Sequence, residues 1–290
     1  MEQSVLSNLF PLREKPPKLL FSRFLACLGL LTISLAREPL VVLNEIKLDQ
    51  IDQRITADQL AALNIDRFVL LDRSNNELVL LDESGIVNKV GGFGQGEDSF
   101  AEPVDFIDHK LQVRVCDRYD NSVKCFDHQL NYLGTEYIDQ AEYDPFFPDL
   151  ITPDPFGSVL VLSREYGLLL NIEQQTIPVI DLNQFGISGE CIIDMTSDKE
   201  GNIALLSCHN ELFRFNRFGR KLSSIAVEID DPVIVLSGIN SWTVLNATGN
   251  MQTNAGIRTC PMVEDEEIID ADTYFQYLIL LTNKRILVLK

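Results

Sequence analysis

The chain has 290 residues, 46% of them hydrophobic, which is enough to bury one sizeable core. Its formal net charge of -19 sets it against phosphate backbones and anionic headgroups, so nucleic acid and anionic membrane surfaces are excluded as partners. Cationic groups, divalent ions and protein surfaces remain, although acidity alone also keeps an exported domain soluble.

In chain order, Lys15, Lys18 and Arg23 precede or flank the apolar run Phe24 to Ala36, which is short for a bilayer span. Ser34 and Ala36 ahead of Arg37-Glu38-Pro39 match a signal-peptidase site, so residues 1–36 read as a signal peptide. The other reading is an uncleaved N-terminal anchor, in which Leu19 to Phe21 lengthen the run and Arg23 snorkels. Cys27 does not suit lipidation, because the apolar stretch mostly follows it. Residues 37–290 are expected to form one extracytoplasmic domain. Removing four basic and two acidic residues with the leader leaves that domain near -21.

Beyond it, one phrase recurs about every 40 to 45 residues: an apolar run, a polar turn, a second apolar run. Val69 to Asp82 and Val115 to Asp127 are the clearest copies. Val159 to Asn171, Ile203 to Asn216, the degenerate Trp242 to Met251 and Tyr277 to Leu289 follow. Short candidate inner strands precede the phrase (Pro103 to Ile107, Cys191 to Met195, Pro232 to Leu236), and candidate outer strands follow it (Tyr132 to Tyr137, Lys221 to Val227). Four strands per unit predict an all-β, six-bladed β-propeller of four-stranded antiparallel blades. The last unit is one strand short at Lys290, and Leu40 to Leu48 has no unit of its own. That N-terminal strand is expected to complete the C-terminal blade and remove an exposed sheet edge. An unclosed or five-bladed array is the alternative. Ala57 to Leu63 has helix-like composition but spans about two turns, too few to stand alone, and equally fits an inner strand.

The segment Val90-Gly91-Gly92-Phe93-Gly94-Gln95-Gly96 through Pro103-Val104-Asp105, followed by Val115 to Asp127, resembles the NHL repeat of six-bladed propellers. The resemblance is good in this blade, recognisable in the first and only a pattern elsewhere. It implies a binding platform, or in a minority of the family a lyase or hydrolase. The glycines lack the helix a phosphate loop needs, and they read as a sharp turn between blades.

Asp72-Arg73, Asp117-Arg118 and Ser163-Arg164 recur after the second strand. The polar residue there can cap its turn, while Arg73, Arg118 and Arg164 fall on one face and can form a patch for carboxylates. Tyr143, Phe146 and Phe147, in the acidic segment 139–149, are candidate binding aromatics that can equally pack under the ring. Asp105, Asp154, Asp194, Asp231 and Asp270, near inner strands, could hold calcium through oxygen ligands, although six or more such ligands cannot be placed. His109, His128 and His209 share no metal-binding spacing, so zinc is not expected. Cys116 and Cys125 flank a turn and are a possible disulfide. Cys191 and Cys208 are a second such pair, and all four can instead be small buried hydrophobes.

The sequence therefore reads as an exported noncatalytic module that binds a protein or envelope component, with no cofactor required. The rival is a metal-assisted propeller lyase or lactonase. Three carboxylates or histidines converging on the axial channel would favour the enzyme, and an apolar or plugged channel the binder.

Overall fold

In each repeat the two central strands are apolar at consecutive positions, a pattern that requires burial on both faces of a sheet. Phe68, Val69, Leu70 and Leu71 are all fully buried. Alternate side chains of a strand point to opposite faces, and here Phe68 and Leu70 pack towards one neighbouring sheet while Val69 and Leu71 pack towards the other. Repeating that arrangement around an axis gives a ring of sheets with a core between each adjacent pair.

The computed structural model describes residues 40–51, 55–139, 145–175, 177–238 and 241–290. Among them are six four-stranded antiparallel sheets and no α-helix. Blades one to five occupy 59–91, 103–137, 150–181, 192–226 and 232–259; blade six occupies 268–289 and takes Val42–Lys47 as its fourth strand. That strand pairs with Arg285–Leu289 in a register running from Val42 opposite Leu289 to Lys47 opposite Arg285. The ring is thus closed by its two ends, as the sequence predicts. Arg285 reinforces the join: its guanidinium donates to Glu266 at 2.8 and 3.0 Å and to Glu45 of the closing strand at 2.5 Å.

Inner strands run Gln59–Asn64, Pro103–His109, Leu150–Pro153, Ile192–Ser197, Pro232–Gly238 and Ile268–Tyr274. The first of these takes the helix-like stretch. Its Leu60-Ala61-Ala62 is buried on both sides, which an isolated short helix would not provide. In blades two, four, five and six the inner strand starts with a β-bulge, and the extra residue is Val104, Ile193, Val233 or Ile269. Bulges reorient the chain locally and leave ladder groups unpaired.

The glycine-rich connection turns the chain from blade one into blade two. Gly91 and Gly92 have φ of 129° and 101°, and a Cβ on Gly91 would lie 2.3 Å from the Asn76 carbonyl oxygen. Fully buried Lys124 secures the loop by donating to the Gly96 and Ser99 carbonyls at 3.1 and 2.6 Å, and it lies 3.6 Å from buried Asp117.

Two expectations are corrected. Cys116 and Cys125 are unbonded, because register places Cys116 opposite Val123 and Cys125 opposite Arg114, so the thiols are diagonal and pack in the core between blades two and three. The disulfide joins Cys191 and Cys208, with Cα atoms 5.1 Å apart, where the base of an inner strand meets the end of its neighbour. Phe146 is fully buried and stacks on Tyr166 at 6.4 Å, so it belongs to that same core and to no binding surface. The leader 1–36 and Tyr143 lie outside the described residues. No helix among the described residues is long and apolar enough to cross a membrane.

Candidate functional site: an arginine-rimmed axial mouth

Antiparallel connection puts the turn after each second strand and the approach to each inner strand at the same end of the ring. Arg73, Arg118 and Arg164 stand at equivalent positions after the second strands of blades one to three. All three line a depression of about 360 Å³ at the axial mouth. The one-sided arginine row expected from the repeat therefore corresponds to an observed surface. In blades four to six the same position holds Cys208, Ala247 and Asn283, so the basic charge is confined to half of the rim.

Each arginine also reaches the next blade. Arg73 donates to the carbonyl of Val104 at 2.5 Å, and Arg164 to that of Ile193 at 2.9 Å. Both acceptors are bulge residues. Arg118 instead pairs with Asp149 at 3.2 Å and Glu102 at 3.7 Å, and its guanidinium lies 5.7 Å from the Phe147 ring. Their backbones are fixed as well: Arg73 N–H donates to Asp58 at 2.8 Å and Arg164 N–H to Asp149 at 2.7 Å. The Nε of Arg164 is buried and makes no hydrogen bond. The expected capping occurs too, with Asp72 accepting from Asn75 N–H at 3.0 Å and Asp117 from Asp120 N–H at 3.4 Å; Asp117 also accepts from Ala101 and Glu102 N–H at 2.8 Å, ahead of its inner strand.

Across the mouth an aliphatic strip of Ile193, Val233 and Ile269 adjoins Asp194 and Asp270, and Asp58 and Asp149 line the arginine side. Val233 and Ile269 are each 38% exposed there, and Ile193 lies beside them. Bulging puts these side chains on the rim. The mouth therefore offers guanidinium donors on one side and an aliphatic surface on the other. Arginine forks suit carboxylates because two parallel donors match two oxygens.

Below the mouth, a channel of about 190 Å³ is lined by Asp105, Asp194, Asp270 and Asp272 among others. It is neither apolar nor plugged, which is the arrangement named above as favouring an enzyme. The carboxylates are nevertheless already engaged. Asp105 accepts from Ile151 N–H at 2.7 Å and the Gln59 amide at 2.8 Å, Asp194 from Val235 N–H at 2.6 Å, and Asp270 from Leu60 N–H at 2.7 Å. These three stand at one register position in blades two, four and six, and each bridges to the next blade, giving an approximate threefold pattern. Asp272, which the repeat pattern does not single out, accepts from Ala62 N–H at 2.8 Å. Burial pushes Asp105 to about 6, Asp194 to about 7 and Asp272 to about 6, and raises Asp270 well above its ordinary value. The negative charge of Asp105 adds to the rise at Asp194 and Asp270.

The remaining calcium candidates are elsewhere. Asp154 caps a turn at the opposite end of the ring, accepting from Phe156 N–H at 3.1 Å and from Asn171 at 3.1 Å. Asp231 is exposed ahead of the inner strand of blade five, in a left-handed conformation with φ of 46°. The five aspartates are thus not brought together. Among the described residues, one set of three histidine, cysteine or carboxylate ligand atoms lies within 4.8 Å of one another: Cys191, Cys208 and His209. Its two sulfurs are bonded to each other. His128 pairs with Asp108 at 2.7 Å, and burial lowers His109.

No family model matches the chain, and no curated protein matches it. Solved structures do resemble it. A proposed exported protein of Bacteroides fragilis is 12% identical, with a TM-score of 0.60 over 87% of this chain and 95% of that one. A catalytically inactive virginiamycin B lyase from Staphylococcus aureus with quinupristin is 9% identical, with a TM-score of 0.57 over 80% of each chain. YCF48 bound to D1 peptide is 9% identical, with a TM-score of 0.55 over 88% and 97%. At such identities the likeness establishes the fold alone: this chain is a six-bladed β-propeller.

Proposed function

We propose that this propeller is a noncatalytic, extracytoplasmic binding module whose arginine-rimmed mouth takes a carboxylate-bearing segment of a protein partner. The observation that carries the reading is the convergence of Arg73, Arg118 and Arg164 on one depression, facing the aliphatic rim of Ile193, Val233 and Ile269. An acidic side chain or a free C-terminus meets the guanidinium donors, and an adjacent apolar side chain covers the aliphatic half. The Cys191–Cys208 disulfide supports an oxidising compartment. The NHL-like sequence of blade two and the peptide-bound YCF48 neighbour are consistent with a binding platform. The channel carboxylates, each held by backbone N–H groups, argue against the rival lyase or lactonase, whose ligands must be free to hold a metal.

An array of random heptapeptides with free carboxyl termini, duplicated with amidated termini, tests the reading. Enrichment of acidic or apolar residues at the free terminus, lost on amidation, is expected. Retention without regard to charge would overturn it.

A further inference from the structure

The opposite end of the ring is formed by the turns that join first to second and third to fourth strands, and it is studded with unburied apolar side chains. Leu111, Phe156, Ile177, Phe218 and Phe275 are 76%, 66%, 75%, 75% and 87% exposed. They come from blades two, three, four and six. Three comparably exposed aromatics, Phe93, Tyr119 and Tyr137, stand at the mouth end. A single exposed apolar side chain is ordinary, but five at one end of the ring, each at least 66% exposed, form a set that a common apolar environment would cover. Two of the tips carry a second penalty: Leu111 has φ of 63° and Phe275 has φ of 54°, where a turn is easily made by glycine or asparagine. Arg217 braces another two, its guanidinium lying 4.9 Å from the Phe156 ring and 4.5 Å from that of Phe218.

The course of the chain says what this face meets. The closing strand begins at this end, where Val41 N–H donates to the Lys290 carbonyl at 2.9 Å and Lys290 N–H returns a bond at 3.0 Å. The apolar run Phe24 to Ala36 ends four residues before Leu40, a reach of at most about 14 Å. In the second reading of residues 1–36, as an uncleaved anchor, that segment would hold this end of the propeller at the bilayer. The tips are separate protruding side chains on a rigid ring. That shape fits a fluid layer, which closes around each one, better than a protein surface needing a matching hollow for each.

We propose that this face rests on a lipid bilayer of low net charge, with Leu111, Phe156, Ile177, Phe218 and Phe275 entering the boundary between headgroups and acyl chains. The net charge of -19 selects zwitterionic over anionic lipid. The arginine mouth then faces away from the membrane, open to a partner. This proposal stands whatever the mouth binds.

The test uses the full chain with phosphatidylcholine vesicles whose acyl chains are brominated, so that tryptophan is quenched at the boundary. Trp242 is 5% exposed and gives a constant background. Phe218→Trp and Phe275→Trp are expected to show added quenching, and Tyr119→Trp at the mouth end none. Absence of added quenching at both tips, or equal quenching at Tyr119→Trp, would overturn the proposal. Serine at Leu111, Phe156, Phe218 and Phe275 together should leave the melt within a few degrees, since exposed tips contribute little to the core. It should also reduce the quenching of an Ile177→Trp reporter. If the parent chain dimerises without lipid and that variant is monomeric by sedimentation, the face belongs to a second copy and the membrane proposal falls.

Discussion

Replacing Asp194 with asparagine should change the pH dependence of stability in a defined direction. In the folded chain burial holds this carboxyl at about 7, against an ordinary value of 3.8. At about 1.4 kcal/mol per pH unit, ionising it in place costs on the order of 4 kcal/mol, which solvent in the channel trims to about 2 to 4. Because the folded value is raised, the native state keeps a proton that the unfolded chain releases near pH 4. The contribution of Asp194 is therefore lost as pH rises from about 4 to about 7 and is constant outside that window. Asparagine cannot ionise, but its amide faces one of the two backbone donors, Met195 N–H at 2.7 Å or Val235 N–H at 2.6 Å, with a pH-independent loss of about 1 to 3 kcal/mol. Urea unfolding at pH 5 and pH 8, followed by Trp242 fluorescence, should show the parent ahead at pH 5 and the gap closed or reversed at pH 8. His109, lowered by burial, works in the opposite sense in part of the window, but it is present in both chains and cancels from the difference. A gap that stays constant, or widens with pH, would refute the reasoning.

Further outcomes follow from buried groups elsewhere in the ring. Lys124→Met leaves Asp117 buried without its cation and frees the glycine loop; by thermal melting it should cost about 3 to 5 kcal/mol, a fall of roughly 10 °C. For Glu266, burial pushes the carboxyl up, but the hydrogen bonds from Arg285, Val263 N–H and Thr282 outweigh it and hold the group at about 2. Its contribution is complete above its ordinary value of 4.5 and lost as pH falls through 2, so the deficit of Glu266→Gln in acid titrations should shrink across that interval. Cys208→Ser opens a loop closed over a separation of 17 residues and should lower stability by about 3 kcal/mol in denaturant titrations, matched by treating the parent with reductant.

Much of the fold was legible because burial on both faces leaves continuous apolar runs, and such runs at a 40- to 45-residue spacing fit few architectures besides a ring of blades. The closing strand was legible from the shortfall at Lys290 together with an unclaimed Leu40 to Leu48. The cysteine pairing was not, since a turn flanked by two cysteines says nothing of register, and a slip of two residues turns direct opposition into a diagonal. Phe146 misled because acidic, proline-rich surroundings suggest a surface, whereas the connection tucks that ring under Tyr166. The arginine row was readable from the repeat. Its attachment to the carbonyls of Val104 and Ile193 was not, because the bulges that free those groups exist only once strands pair. The threefold pattern of Asp105, Asp194 and Asp270 did leave a trace, an aspartate third in Pro103-Val104-Asp105, Ile192-Ile193-Asp194 and Ile268-Ile269-Asp270. Only the next blade reveals its purpose.

The most direct test of the mouth is a calorimetric titration of the tightest free-carboxylate peptide from the array into the parent chain and into Arg118→Gln/Arg164→Gln. With the parent and the double variant both folded by melt, Kd should rise at least about tenfold, or 1.4 kcal/mol, and the amidated peptide should bind both chains equally weakly. An unchanged Kd on loss of the two arginines would contradict the account.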